Sequence, residues 1–275
     1  MNLFVRQIPL RALAAIGGIG LAGNLLLAQP AVAPKAGGLR ELTTDRPDAT
    51  ESPFTVDAGH LQLEMNVMSF TRNRLDGVRT TEWSVAPFNL RYGLTPATEV
   101  GIFVDPSIRV TEQVRNGPKS TVRGVGDTTL RAKWNFLGND GGPIALGMFV
   151  DLKLPTAAAG LGNDQVEGAL TLPVAYELGA GWEGAAMTAV EFAHTGSGRR
   201  AVWVNTITFA RDLATDLGGF VELTSAAGDG AHVATVNCGV TRRIGPGLQL
   251  DCGVYFGLSR AAPDLTVFAG LSRKF

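Results

Sequence analysis

Apolar and polar side chains alternate along most of the chain after residue 57. In the stretch "HLQLEMNVMSF", for example, Leu61, Leu63 and Met65 alternate with Gln62 and Glu64. Successive side chains of a β-strand point to opposite faces, so this pattern predicts strands with one apolar and one polar face. No stretch of comparable length keeps the apolar spacing of an amphipathic helix. The pattern therefore predicts an all-β protein.

The alternating segments are long and follow one another closely. About twelve of them, each roughly 10 to 13 residues long, can be marked on the chain. They are residues 58–71, 80–92, 98–108, 125–137, 143–155, 166–178, 182–194, 200–211, 217–226, 232–243, 247–258 and 264–275. Strands of soluble proteins usually have about 5 to 6 residues, whereas a tilted transmembrane strand needs about 9 to 11. The second segment changes phase near Ala86–Pro87, which predicts a β-bulge there.

The connections between the segments fall into two groups. Those after even-numbered segments are short turns such as "GLTPA", "GNDGG" and "RIGPG", whereas "VTEQVRNGPKSTVRG" and "TAAAGLGNDQV" follow odd-numbered ones. Short periplasmic turns and longer outer loops are typical of outer-membrane barrels. Because lipid offers no partner for backbone polar groups, the last strand must pair with the first. The prediction is a closed antiparallel transmembrane β-barrel of about 12 strands over residues 58–275, with both termini in the periplasm.

The N-terminus has the pattern of a secretory signal peptide. Arg6 and Arg11 precede the apolar run "LAAIGGIGLAGNLLLA", and small residues follow it. The run is short and rich in glycine, which favours a cleaved signal over a permanent membrane span. Residues 1–36 are therefore predicted to be a signal peptide with a possible short leader, with cleavage after Ala28, Ala33 or Ala36. The protein is predicted to be exported.

Charge and cysteine content exclude several classes of protein. The formal net charge is −1, and no basic cluster suggests binding to nucleic acid. Cys238 and Cys252 are the two cysteines of the sequence, too few for a disulfide scaffold or a zinc framework. Both fall on the apolar face of adjacent predicted strands. They could be cross-strand neighbours, and either a disulfide or two free thiols fits that placement.

The polar segment "TTDRPDATESPFTV" precedes the first strand. Asp45, Arg46, Asp48 and Glu51 lie among two prolines, which disfavour a continuous helix. Neither histidine nor cysteine is present to complete a metal or nucleophile site. Residues 37–57 are predicted to form a periplasmic N-terminal segment at or inside the mouth of the barrel, where these charges pair with groups of the lumen.

Several motifs together resemble a known family. "TDRPDATESPFTV" followed by "GHLQLE", then "LRYGLT", "GVGDTTLRAKW", "KLPT", "LDCGVYFGLSRAAPD" and "FAGLSRKF" resemble the outer-membrane proteins assigned as transporters of the phenol-degradation meta pathway. The resemblance covers nearly the whole mature chain. It implies a β-barrel in the cell outer membrane and, through pathway association, a transport role. Phe275 also resembles the C-terminal aromatic signal read by the barrel-assembly machinery, although Arg273 stands where such proteins often carry an aromatic residue.

The alternation also predicts which charged side chains face the lumen. The candidates are Glu64, Arg91, Glu99, Asp105, Asp127, Arg131, Lys133, Asp151, Lys153, Glu167, Glu177, Glu191, Glu222 and Asp251. Charges of both signs could pair across the lumen and hold the barrel in shape. Alternatively they could form a charged eyelet that selects solutes. Acidic groups outnumber basic ones, which favours cations or neutral solutes over anions.

Aromatic side chains are predicted on the same inward faces. They are Phe103, Phe149, Phe220, Tyr255 and Phe268. These rings could fill space, since a barrel of about twelve strands lies between filled eight-stranded barrels and open porins. They could also form an apolar track for an aromatic or hydrophobic solute.

The predicted function is passive uptake of small solutes by an outer-membrane channel. One alternative is an outer-membrane hydrolase, for which His194 and Ser197 would be the first candidates. A second alternative is a plugged structural or adhesive barrel. No cofactor and no metal site is predicted, and the expected partners are outer-membrane lipids, the barrel-assembly machinery and a small-molecule solute.

Overall fold

A computed structural model describes residues 39–195 and 198–275 of the chain. The predicted signal peptide lies outside these residues. The strands are β1 (Leu61–Leu75), β2 (Val78–Val85), β3 (Phe88–Thr95), β4 (Thr98–Val104), β5 (Ser107–Val114), β6 (Lys119–Gly124), β7 (Thr128–Leu137), β8 (Ile144–Leu154), β9 (Glu167–Gly179), β10 (Trp182–Thr195), β11 (Gly198–Ala214), β12 (Leu217–Gly228), β13 (Ala231–Arg243), β14 (Leu248–Gly257) and β15 (Leu265–Lys274).

The strands form one antiparallel sheet that closes on itself. From β7 to β15 each strand is hydrogen-bonded to the next in sequence, and β15 pairs with β1 along ten residue pairs from Gln62↔Lys274 to Arg72↔Leu265. β2 and β3 together serve as one barrel strand, because β1 pairs with β2 along its second half and with β3 along its first. β4 with β5, and β6 with β7, are likewise single barrel strands interrupted once. The predicted closed barrel of twelve strands is confirmed.

The three interruptions lie side by side on neighbouring strands. The first is at Ala86–Pro87, where Ala86 has a φ of 56°, so the strand is interrupted at the predicted place. The predicted bulge is wrong, because the pairing register with β1 is the same on both sides of the interruption and no extra residue is inserted. The second is at residues 105–106 and the third at residues 125–127. Beyond this level β2, β5 and β6 continue beside the second half of β1. Residues 155–166 lie against the end of β6, where the amide of Ala158 donates to the carbonyl of Val125.

One predicted loop is instead a β-hairpin. The stretch "VTEQVRNGPKSTVRG" forms the end of β5, a turn over residues 115–118 and β6. The expectation of a long loop was wrong because Thr111 and Gln113 continue the strand alternation and Asn116–Gly117 is a hairpin turn signal. The contrast between long loops at one end of the barrel and short turns at the other is therefore smaller than predicted.

The outside of the barrel is apolar across its width. Large side chains such as Leu170, Ile207, Leu223 and Val267 are exposed on the outer face of the sheet. Aromatic residues flank this region towards both rims, as expected at the two interfaces of a membrane. Tyr92, Trp134, Tyr176, Trp182 and Phe209 lie towards the rim where β1 begins and β15 ends, and Trp83, Phe192, Trp203 and Phe256 lie towards the opposite rim. No described helix is long and apolar enough to cross a membrane.

The two cysteines lie on this outer face as free thiols. Cys238 pairs with Val254 across the sheet, and Cys252 pairs with Val240. The two cysteines are therefore diagonal neighbours rather than directly opposite each other. The structure contains two free thiols and not the disulfide that also fitted their placement.

Candidate functional site

The N-terminal segment runs through the lumen of the barrel. Residues 39–57, here called the plug, make polar contacts with β1, β3, β4, β7, β11, β12 and β14. Leu42, Ala49 and Val56 of the plug are buried. The segment that precedes the first strand thus lies across the interior.

Asp45 lies at the centre of the first group of charges. Lys133 on β7 donates from Nζ to both carboxylate oxygens of Asp45, at 2.7 and 2.9 Å. Arg91 on β3 lies 3.5 Å from Asp45 and also binds Glu64 at 2.6 Å and Glu99 at 2.8 Å. Burial by itself would raise the pKa of Asp45, but Arg91 and Lys133 outweigh it and hold the pKa well below its usual range. This carboxylate is therefore ionised in the docked plug.

Glu51 of the plug lies at the centre of the second group of charges. Both of its carboxylate oxygens accept hydrogen bonds from the guanidinium of Arg131 on β7. Arg131 also donates from Nε and Nη2 to Asp151 on β8, each at 2.7 Å. A guanidinium that holds two carboxylates in this bidentate way is a strong and directional contact. The plug is thereby fixed to the β7–β8 wall.

The opposite wall binds the plug through two carboxylates of its own. Glu222 on β12 accepts hydrogen bonds from the backbone amides of Ala49 and Thr50, at 3.0 and 2.6 Å, and from the hydroxyl of Thr50 at 2.5 Å. Asp251 on β14 accepts two bonds from the guanidinium of Arg46, at 2.5 and 3.2 Å. The plug is therefore held on both sides of the lumen.

Asp48 differs from the other acidic residues of the plug. Burial raises its pKa well above the usual carboxyl range, and the nearby charge of Glu222 raises it further. The protonated form of Asp48 is thus favoured in the docked plug. Sequence reasoning had treated Asp45, Asp48 and Glu51 alike.

The predicted lumen aromatics form two separate groups. Arg131 lies between the rings of Phe149 and Phe103, at 3.8 and 4.5 Å from their centroids. Phe220, Tyr255 and Phe268 form the other group, in which the last two pack edge to face with centroids 5.2 Å apart. The hydroxyl of Tyr255 donates to the carbonyl of Pro47 in the plug at 2.7 Å. A continuous track for a solute stays a prediction.

The remaining predicted lumen charges lie farther from the plug. Lys153 binds Asp127 at 3.0 Å and Glu167 at 2.9 Å. Asp105 is partly buried at the break between β4 and β5, where its carbonyl accepts from the amide of Gly126. Glu191 is buried on β10, whereas Glu177 is exposed near the end of β9. A charged eyelet stays a prediction, because the charges in contact with the plug are engaged in ion pairs.

Three predicted positions remain, namely the two hydrolase candidates and the C-terminal residue. The backbone amide of His194 donates to Glu167 at 2.6 Å, and Ser197 lies outside the described residues. Phe275 is exposed at the rim, with its amide bonded to the carbonyl of Leu61 at 2.8 Å. Its recognition by the assembly machinery stays a prediction.

Sequence reasoning missed several contact residues of the plug. Thr206 on β11 lies with its hydroxyl oxygen 2.7 Å from that of Thr50, and Asn237 on β13 donates to Glu222 at 2.6 Å. Gly270 leaves room for the plug, since a Cβ there would overlap the guanidinium of Arg46. Glycine on an inward face was a possible signal, because glycine in a strand often marks close approach of another segment.

A closed antiparallel barrel that is apolar outside and holds its charges inside is an outer-membrane β-barrel. The chain belongs to the family described as "Putative MetA-pathway of phenol degradation", whose sequence profile matches residues 44–275. A search of curated protein sequences finds no match.

Two solved structures illustrate the similarity of fold. The β domain of the Bordetella autotransporter BrkA is 14% identical, with a TM-score of 0.54 over 80% of this chain and 100% of that chain. The NanC porin is 7% identical, with a TM-score of 0.50 over 78% of this chain and 100% of that chain. At these identities the similarities show the fold alone.

Proposed function

We propose that this protein is a passive outer-membrane channel for small solutes, with a preference for aromatic or hydrophobic compounds. The observation that supports it is a closed, lipid-facing barrel whose interior carries many charged and polar side chains beside two apolar clusters and is crossed by a short plug. A wall of this kind has to enclose either a path for solutes or a sealed core.

The ion pairs support neutral solutes over ions. Asp45, Glu51 and Asp251 are each paired with a cation across the plug and the wall. Stripping water from a charged solute next to such pairs is costly, whereas a neutral ring loses little hydration. Two groups of aromatic side chains and the family's link to phenol degradation support an aromatic solute in particular.

The proposal can be tested by swelling of liposomes that contain the purified protein. A matched pair of solutes separates aromatic character from hydroxyl content: 1,3,5-trihydroxybenzene and 1,3,5-cyclohexanetriol. We expect protein-dependent swelling with both and faster swelling with the aromatic compound, while a disaccharide should enter slowly. Protein-free liposomes supply the background rate.

The alternatives predict other outcomes. A sealed structural or adhesive barrel, which the plug makes a serious alternative, would produce no protein-dependent swelling with any of the three solutes. Equal swelling rates for the two ring compounds would indicate a narrow general channel and refute the aromatic preference. A hydrolase would release product from an ester substrate, and loss of that product in His194→Ala would identify it.

A further inference from the structure

The two ends of the plug are held together at one rim of the barrel. Arg40, near the start of the plug, donates from Nε to the carboxylate of Asp57 at its end, at 2.7 Å. Lys274, the last residue of β15, donates from Nζ to the carboxylate of Asp57 at 3.0 Å and to the carbonyl of Arg40 at 2.6 Å. Residues 41–56 therefore form a loop of the Ω type, which enters and leaves the lumen at the rim where β1 begins. We call Arg40, Asp57 and Lys274 the base of the plug.

The loop is held in shape by its own contacts and is bound to the wall through side chains. Ser52 donates from its hydroxyl and its amide to Asp45, at 2.8 and 3.2 Å, which joins the two limbs of the loop. Residues 47–50, here called the tip, bond to the side chains of Glu222 on β12 and Tyr255 on β14. The plug precedes β1 and belongs to no strand. It can therefore leave the wall without breaking the hydrogen bonds between strands.

Inward side chains of every barrel strand are buried while the plug is docked. Each of the twelve strands has at least one inward side chain that is at most 6% exposed, and together these side chains form a ring round the lumen. They are Glu64, Arg91, Glu99, Lys133, Phe149, Thr171, Met187, Thr206, Glu222, Asn237, Asp251 and Ser272. Inside the ring, Asp45, Ala49 and Glu51 of the plug are at most 5% exposed. A path wide enough for a solute would expose the side chains along it, so the described residues enclose no path past the docked plug.

The plug fills the space between opposite walls of the barrel. Lys133 on β7 donates to the carbonyl of Ser52 at 3.0 Å, and Glu222 on β12 accepts from the hydroxyl of Thr50 at 2.5 Å. Most side chains in the ring of buried wall residues are charged or polar. Withdrawal of the plug would bring them into contact with water, and a polar, hydrated lining is typical of an open barrel channel.

We propose that the plug is the gate of the channel and that Glu222 is its latch. The lumen is closed while the plug is docked, and solutes pass when the tip leaves Glu222 and the loop withdraws towards the rim where β1 begins. The base stays bound at Lys274 during this movement, so the loop can return to the same position. The inference rests on the proposed channel function and adds the means by which the channel opens and closes.

The first test locks the tip of the plug to the wall. In a background with Cys238→Ala and Cys252→Ala, the pair Thr50→Cys and Thr206→Cys replaces two hydroxyls whose oxygens are 2.7 Å apart. Oxidation should join the tip to β11, and mass spectrometry checks that the disulfide has formed. We expect 1,3,5-trihydroxybenzene to swell the reduced liposomes. Oxidation should lower the swelling rate to that of protein-free liposomes, and reduction should restore it.

A matched pair within the wall is the control for this lock. Thr224 on β12 and Thr235 on β13 also have hydroxyl oxygens 2.7 Å apart, and neither belongs to the plug. Thr224→Cys with Thr235→Cys, in the same background, should form a disulfide on oxidation and leave the swelling rate unchanged. Undiminished swelling by the oxidised Thr50→Cys, Thr206→Cys protein would overturn the gate and leave the channel function standing.

The second test releases the plug. Thr50→Asp places a carboxylate next to Glu222, and the swelling rate should rise about tenfold because a bond to a charged group is lost and like charges face each other. Thr224→Asp is the control, since it adds the same charge two residues from Glu222 but on the wall, and its effect should be much smaller. Heat-modifiable gel mobility checks that each variant folds. Equal rates for the two variants would contradict the gate. Swelling by Thr50→Asp but not by the unaltered protein would support a gate that is closed at rest, whereas no swelling by either would refute the channel function and the gate with it.

Discussion

Asp45 and Asp48 are three residues apart, yet their surroundings favour opposite protonation states. Cations surround Asp45, so its lowered pKa stabilises the docked plug at all pH values above the usual carboxyl range. Asp48 instead lies near Glu222, and its raised pKa stabilises the docked plug only while Asp48 carries a proton. That contribution is complete below the ordinary pKa of 3.8 and is lost as pH rises through the raised value.

This difference predicts a pH effect that a single substitution removes. As pH rises above the ordinary carboxyl range, the unfolding temperature of the purified protein in detergent should fall, because Asp48 keeps its proton in the docked plug while the unfolded chain loses it. Asp48→Asn keeps the shape and cannot ionise, so the fall should be smaller. Asp164→Asn, at an exposed loop position, is the control and should behave as the unaltered protein. An identical pH profile for Asp48→Asn would contradict the assignment.

At the scale of the strands, alternation decides which face meets lipid. Leu223 on β12 and Ile207 on β11 lie opposite each other between the aromatic positions of the two rims. Leu213 lies on the same face near the end of β11, beyond Phe209. Both leucines are more than half exposed, but only the first lies deep in the apolar region.

The depth of these two leucines predicts different costs for the same change. Leu223→Arg should destabilise the barrel by about 2 to 4 kcal/mol, and Leu213→Arg by about 0 to 1, because the second arginine can reach the interface. Urea titrations in lipid vesicles, followed by heat-modifiable gel mobility, compare the two. Equal costs would show that Leu223 does not face the middle of the membrane.

The sequence carries enough local information for the strands but little for the plug contacts. A strand is recognised from neighbouring residues, so Leu61 to Met65 predict their own structure and the phase change at Ala86–Pro87 predicts where the strand is interrupted. Arg46 and Asp251 are 205 positions apart, and nothing in either neighbourhood specifies the other. Such pairs follow only when the barrel closes and the plug enters it. The β5–β6 hairpin was missed for another reason, since its charged residues concealed a regular alternation.

At the scale of the whole molecule, the plug supplies the negative charge that part of the wall needs. Arg91, Arg131 and Lys133 lie on β3 and β7, and their side chains are almost fully buried. Asp45 and Glu51 come from the plug and bind to these cations. Burying a charge is tolerated when it is paired, and removal of one partner is strongly destabilising. The plug therefore contributes both to the stability of the barrel and to the charge of its interior.

This balance predicts how selectivity changes when the plug loses its charge. Asp45→Asn combined with Glu51→Gln removes two negative charges and leaves three buried cations on the wall with fewer partners. The plug should dock less tightly, so conductance in a planar bilayer should rise, and the reversal potential in a potassium chloride gradient should shift towards that of chloride. Glu41→Gln is the control, since its side chain is 86% exposed and its loss should change neither quantity. A rise in conductance without a shift towards chloride would mean that ions avoid the β3–β7 wall even when the plug is loosened. No change in either quantity would mean that Arg46 and the bonds to Glu222 are sufficient to hold the plug in place.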